Sequence, residues 1–117
     1  MKIHELTLHQ EPFRLISEGK KTIEMRLNDA KRRLICVGDR LIFTNRTTGE
    51  QLSASVLKIE AFPNFEELYR HYDPLLLGYV IGERVSHHDM EIYYTPDQIT
   101  HHGVLAIMFK TESSENI

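Results

Sequence analysis

The chain has too few cysteines for an internal disulfide: Cys36 is its only thiol, which also excludes a zinc site built from several cysteines. Between Ile35 and Val37, Cys36 reads as a small buried apolar residue rather than a nucleophile. No apolar run approaches the roughly 20 residues that span a bilayer. The opening MKIHELTLHQ also lacks the apolar stretch and cleavage site of a secretory leader. A cytoplasmic location without a membrane partner is the expectation. Nor is there a surplus of positive charge. Fourteen Lys and Arg face 17 Asp and Glu, a net of −3, which argues against indiscriminate coating of nucleic acid. Internal repeats, low-complexity tracts and interdomain linkers are missing as well. At 41% apolar and 26% charged, the composition is that of a globular protein. The length suits one domain over residues 1–111, followed by a frayed tail at 112–117.

The charge that is present is unevenly placed. GKKTIEMRLNDAKRR, Gly19 to Arg33, carries six cations and two acids in 15 residues. From Arg14 to Arg40 the local net is +4, so the remainder carries −7. Such a field draws an anionic ligand to one face and repels it elsewhere. The ordinary alternative is a solvated loop.

Periodicity outlines the elements around this segment. Ile3, Leu6 and Leu8 lie near strand spacing, and Pro12 with Gly19 frames a short helix over FRLISE. In KKTIEMRL a strand sends Ile23, Met25 and Leu27 to the core and Glu24 and Arg26 to the other face, with Lys21 in the turn before it. A turn at Val37-Gly38-Asp39 feeds the strand RLIFTN, which pairs with QLSASVLKIEA through a loop at Asn45 to Glu50. Asn64 with Glu67 opens an amphipathic helix carrying Phe65, Leu68, Tyr69 and Tyr72. Asp73-Pro74 starts another helical turn that stops near Gly78. Ser86 with Asp89, and Thr95 with Gln98, open two more short helices. The unbroken VLAIMFK strand implies burial on both faces, as in the wall of a closed or nearly closed barrel.

Gly19, Lys21, Glu24 and Arg26 form the pattern G-x-K-x-x-E-x-R, which resembles the signature of the ASCH domain, a branch of the PUA-like β-barrels. The order of the flanking elements resembles that family over nearly the whole chain. The resemblance implies an α+β fold: a PUA-like small mixed or antiparallel β-barrel with short helices packed on it and a cleft beside the motif. It also implies RNA or a nucleotide as ligand, since related domains use that surface for RNA. A few small members look like enzymes on modified nucleosides or RNA, so the alternative is an acetylcytidine-type amidohydrolase or a ribonuclease. Fold alone does not choose between these.

The residues suit either chemistry. Lys21 offers a point charge and Arg26 a two-pronged hydrogen-bonding fork. Glu24 can accept from a base amino group or hold Arg26 in position. In an enzyme Lys21 and Glu24 would be catalytic, with Glu66, Glu67 or Glu83 as a distant acid. The amidohydrolase branch is similar in having a Lys but places a Thr where Glu24 stands here. Lys20, Lys31, Arg32 and Arg33 would extend the cationic patch towards phosphates. Asn28 would supply an amide, and Tyr94 or Tyr93 a stacking platform. The seven histidines show no i, i+4 zinc spacing, so no metal or other cofactor is expected. An interaction module would instead use an apolar patch at Leu75 to Leu77 and Tyr79.

Overall fold

A computed structural model describes residues 1–112. Five strands alternate with short helices: β1 (Ile3–Leu8), α1 (Gln10–Ser17), β2 (Ile23–Leu27), β3 (Arg40–Asn45), β4 (Gln51–Phe62), α2 (Phe65–His71), α3 (Pro74–Leu77), α4 (Pro96–His102) and β5 (Val104–Thr111). Single 3₁₀ segments occupy Arg32–Leu34 and His87–Ile92. The strand order is β1-β3-β4-β5-β2, with β1 and β3 parallel and every other pair antiparallel.

The sheet curls because β4 serves two partners. Gln51 to Ser55 pairs with β3, and Ala54 to Phe62 pairs with β5. Between Val56 and Lys58 the register shifts, leaving Leu57 as the extra residue of a bulge, which bends a strand and tightens its twist. The result is a half-barrel. Its two edge strands, β1 and β2, share no backbone ladder, so the barrel expected from β5 is open along one seam.

Both faces of the β5 end of the sheet are nonetheless covered. Leu105 and Ile107 join Leu6, Leu8, Phe13, Leu41, Phe43 and Val56 inside the curl. Val104 and Ala106 join Ile23, Met25, Phe65, Leu68 and Leu77 beneath the helices that connect β4 to β5. Alternate side chains of a strand face opposite ways, so four consecutive residues of β5 are buried in two separate cores. Glu24 and Arg26 pair with Ile107 and Leu105. They therefore lie on the inward face of the curl, while Ile23 and Met25 anchor the helical layer.

Local chemistry sets the helix ends. The Asn64 side-chain Oδ1 accepts from Glu67 N at 2.9 Å, and Asp73 Oδ1 does the same for Leu75 N. Thr95 and Gln98 complete a reciprocal capping box. Two local readings need correction. Helix α1 begins at Gln10 rather than Phe13, which accommodates Pro12 because first-turn N–H groups have no intrahelical acceptor. Cys36 is exposed; Ile35 fills the core position beside it, and the Cys36 backbone N–H instead donates to Asp39 Oδ2 at 3.0 Å. Of the segment read as a tail, Glu112 donates its N–H to Ser53 O at 2.9 Å and its carboxylate meets Arg40 Nη2 at 3.2 Å. Residues 113–117 lie outside the described residues.

Candidate functional site: a cavity at the barrel seam

Lys21 reaches the seam through the turn after α1. Gly19 adopts φ 76°, and the N–H groups of Lys20 and Lys21 both return to Leu15 O, which turns the chain into β2. The Lys21 ammonium then enters the protein. Its Nζ lies 2.8 Å from Leu77 O, 2.9 Å from Ile23 O and 3.3 Å from Glu24 Oε1. An ammonium has three donors, so three protein acceptors surround it. Its stem passes over Gly78, where an added Cβ would sit 3.2 Å from Lys21 Cδ. Gly78 also holds φ 114° and ends α3. A second bond, Thr22 N–H to Leu76 O at 3.0 Å, ties the same helix to the strand.

Glu24 links Lys21 to Arg26. Arg26 Nε donates to Glu24 Oε2 at 2.6 Å, and Nη2 reaches across the seam to Thr7 O of β1 at 3.0 Å. The Lys21 and Glu24 side chains are each 6% exposed and Arg26 is 13% exposed. Burial pushes the Glu24 carboxyl up, but the Arg26 and Lys21 charges outweigh it and hold the group below the ordinary carboxylate value. Burial lowers the proton affinity of Lys21, only partly offset by Glu24. Burial also acts against the Arg26 charge, yet Glu24 carries its pKa above the ordinary value.

This triad lies at a cavity of about 460 Å³ along the seam, within the size range of small-molecule sites. Thr7, Leu8, His9, Pro12 and Leu15 contribute one wall. The connection between β4 and β5 supplies the opposite one through Tyr69, Leu77, Tyr79, Met90, Tyr93 and Tyr94. Tyr69 and Tyr79 share a hydroxyl hydrogen bond of 2.9 Å, and the Tyr79 hydroxyl donates to Asp89 Oδ2 at 2.7 Å. Burial, followed by these bonds, raises the Tyr79 pKa well above that of a free phenol. Tyr94 stacks on Phe65 with ring centroids 6.2 Å apart and 13° between planes. Tyr93, 46% exposed, leans on His9 at 5.8 Å.

Of the residues singled out from the sequence, Lys21, Glu24, Arg26, Tyr93 and Tyr94 meet at this cavity, and so does Glu83. Leu77 and Tyr79 of the apolar patch line it too, and the remaining candidate site residues do not. Lys20 is exposed beside Glu18 at 3.1 Å. Asn28 donates its backbone N–H to Gly103 O, while Asp29 caps the 3₁₀ turn through Arg32 N and pairs with Arg32 Nη1 at 2.8 Å. Lys31 and Arg33 are exposed on that loop. Glu66 and Glu67 pair with Arg70 on α2. Leu77 is buried, whereas Leu75 and Leu76 are 39% and 37% exposed.

The expectation of a cationic cleft is therefore corrected. Lys21, Arg26 and Arg46 are outnumbered along the cavity by Glu11, Glu24, Glu83 and Asp89, because the basic loop leaves β2 at its far end. Sequence reasoning missed Thr7, His9, Arg46 and Asp89 as lining residues and assigned Tyr69 to helix packing. Thr7 alone carried a signal, since it alternates with core-facing Leu6 and Leu8. Among the described residues no three His, Cys, Asp or Glu side chains are grouped to hold a metal. The His87–His88 and His101–His102 rings lie beside each other, at 4.1 and 4.6 Å. Among the described residues no helix is long and apolar enough to cross a membrane.

A curled mixed five-stranded sheet with short helices and a seam cavity defines an α+β, PUA-like half-barrel, a fold associated with RNA binding. The ASCH domain model matches residues 6–113, and the chain belongs to the ASCH family. Solved structures agree. The hypothetical protein PH0355 is 29% identical with a TM-score of 0.79, covering 96% of this chain and 100% of that one. Protein PF0455 from Pyrococcus furiosus is 28% identical with a TM-score of 0.71, covering 95% and 97%. The S128A mutant of the ASCH protein from Zymomonas mobilis shares the fold at 18% identity and a TM-score of 0.65, covering 91% and 66%. Nothing among the curated proteins matches this chain.

Proposed function

We propose that the protein binds RNA, or a free nucleoside or nucleotide, by receiving one nucleotide unit in the seam cavity. The observation that carries this reading is the pairing of a polar floor, Glu24 and Arg26, with an aromatic wall that includes the half-exposed Tyr93. Aromatic rings stack any unpaired base, and a carboxylate beside a guanidinium supplies acceptors and donors for its edge. On a longer RNA, Lys31 and Arg33 contact backbone phosphates outside the cavity, with Arg32 and Asn28 beside them and Lys20 at the opposite end of β2. Phosphate contacts position a strand without reading it.

Binding of a fluorescent single-stranded RNA provides the test. Tyr93→Ala is expected to weaken it by about 5- to 150-fold, the equivalent of the roughly 1–3 kcal/mol carried by one stacked base. Arg26→Ala is expected to weaken it as well. Unchanged affinity in both variants, with native circular dichroism, refutes the site.

One observation favours a second reading. Burial depresses the proton affinity of Lys21, the condition a lysine base requires, and Glu24 lies 3.3 Å away. In a hydrolase acting on acetylcytidine or RNA, Lys21 and Glu24 would carry the proton transfers. Against it, three acceptors hold the ammonium in its protonated form. Turnover of acetylcytidine or a short RNA that disappears in Lys21→Ala would establish catalysis; equal rates would remove it.

A further inference from the structure

We infer that the cavity takes the uncharged base and sugar of its ligand and leaves the phosphate outside. The inference rests on the reading of the cavity as a nucleotide-unit site and names what that site selects.

The cations at the cavity are largely committed to the protein. Three acceptors surround Lys21 Nζ, so it presents no unused proton to a ligand. Arg26 directs Nε to Glu24 and Nη2 to Thr7 O, leaving Nη1 as its remaining group without a partner among the described residues. Arg46 is a lining cation too, but Glu11, Glu83 and Asp89 line the same cavity. The Asp89 carboxylate already accepts from Tyr79, and Glu83 Oε1 accepts from Val80 N at 2.9 Å. A dianionic phosphate brought inside meets Glu24, Glu83 and Asp89, with Glu11 paired to Arg14 at the edge, and it loses hydration while gaining only Arg26 Nη1 as an unpartnered nitrogen of the cavity's buried cations, since Arg46 is exposed.

An uncharged base meets the opposite situation. Glu24 uses one oxygen towards Lys21 and the other towards Arg26, yet a carboxylate has about four acceptor positions. A ring N–H or amino group can therefore be received beside Arg26 Nη1, which donates to a neighbouring carbonyl. That combination suits a base edge with a donor next to an acceptor. Tyr93 and the apolar side chains of Leu8, Pro12 and Ile92 cover the rings. Lys31 and Arg33, which have no acidic partner among the described residues, do not line the cavity, and Arg46, which lines it without such a partner, is exposed, so backbone phosphate is met in solvent and the base inside.

The test uses the full chain at pH 7.5 and 50 mM salt, with adenosine, cytidine, guanosine, uridine and each 5′-monophosphate as probes, followed by amide chemical-shift titration. For the base that binds best, the nucleoside is expected to bind within threefold of its monophosphate or more tightly, with little change between 50 and 200 mM salt. Asp89→Asn, which keeps an acceptor for Tyr79 while deleting a charge, is expected to shift the ratio several-fold towards the monophosphate. A monophosphate preferred by more than threefold in the unmodified protein overturns the inference while leaving the cavity as the nucleotide site. Silence from all eight probes overturns the inference and, if single-stranded RNA also fails to bind, the proposed function with it.

Discussion

Glu24 is the residue on which the buried charges balance. It stands between two cations inside the fold, so Glu24→Gln leaves both without their counter-charge. Deleting one member of a buried ion pair costs about 3–5 kcal/mol, and urea unfolding of the variant is expected to show a loss of that order. Arg14→Ala is the contrast: its pairs with Glu11 and Glu18 are on the surface, and exposed pairs contribute roughly 0–1 kcal/mol. Acid stability has a second residue-scale source. Asp39 receives the His4 ring nitrogen at 2.8 Å and the N–H groups of Lys2 and Cys36, which lower its pKa from 3.8 to about 2. A carboxyl depressed in the folded state stabilises above its unfolded pKa and loses that contribution as pH falls through the folded one. Stability is therefore expected to decline from about pH 4 towards pH 2, and Asp39→Asn to flatten that limb in acid-unfolding curves.

Among the elements, α3 matters more than its four residues suggest, because Lys21 and Thr22 both bond its last carbonyls. Gly78→Ala forces a side chain into a left-handed conformation and against the Lys21 stem. A loss of about 1–2 kcal/mol is expected from the backbone alone, with weaker RNA binding as the adjoining Tyr79 shifts. Thr95→Ala, which removes one half of the α4 capping box, is expected to cost about 1 kcal/mol without affecting binding; thermal unfolding and the RNA titration separate the two cases. These elements were legible in the sequence because their signals are local. Strand β3 is read residue for residue from RLIFTN, and Asn64, Asp73, Thr95 and Gly78 mark helix ends by chemistry that needs no distant partner. Cys36 and the start of α1 were not legible in that way. Which of three neighbouring residues turns inward is decided by the barrel core, and a helix can begin before its proline without changing its apolar pattern.

At the scale of the molecule, the motif residues form the floor of the seam cavity but give no view of its walls. Lys21, Glu24 and Arg26 come from six consecutive residues, whereas Thr7, His9, Arg46, Tyr69 and Asp89 come from segments that meet only after the sheet has curled. The run Lys31-Arg32-Arg33 misled for the same reason: charge density along a chain does not say which end of a strand it occupies. The separation has a measurable consequence. Log affinity for single-stranded RNA is expected to fall with log salt by about 0.7 for each phosphate neutralised. Lys31→Ala combined with Arg33→Ala is expected to reduce that slope while leaving nucleoside binding unchanged.

The open seam between β1 and β2 behaves as a split collar. Among the described residues the Arg26 guanidinium, reaching Thr7 O, spans the split in place of a ladder, so a wider or narrower collar would leave every strand pairing intact. Mouth width is thus expected to be softer than the laddered frame, and to be set by the Arg26 side chain that lines the cavity.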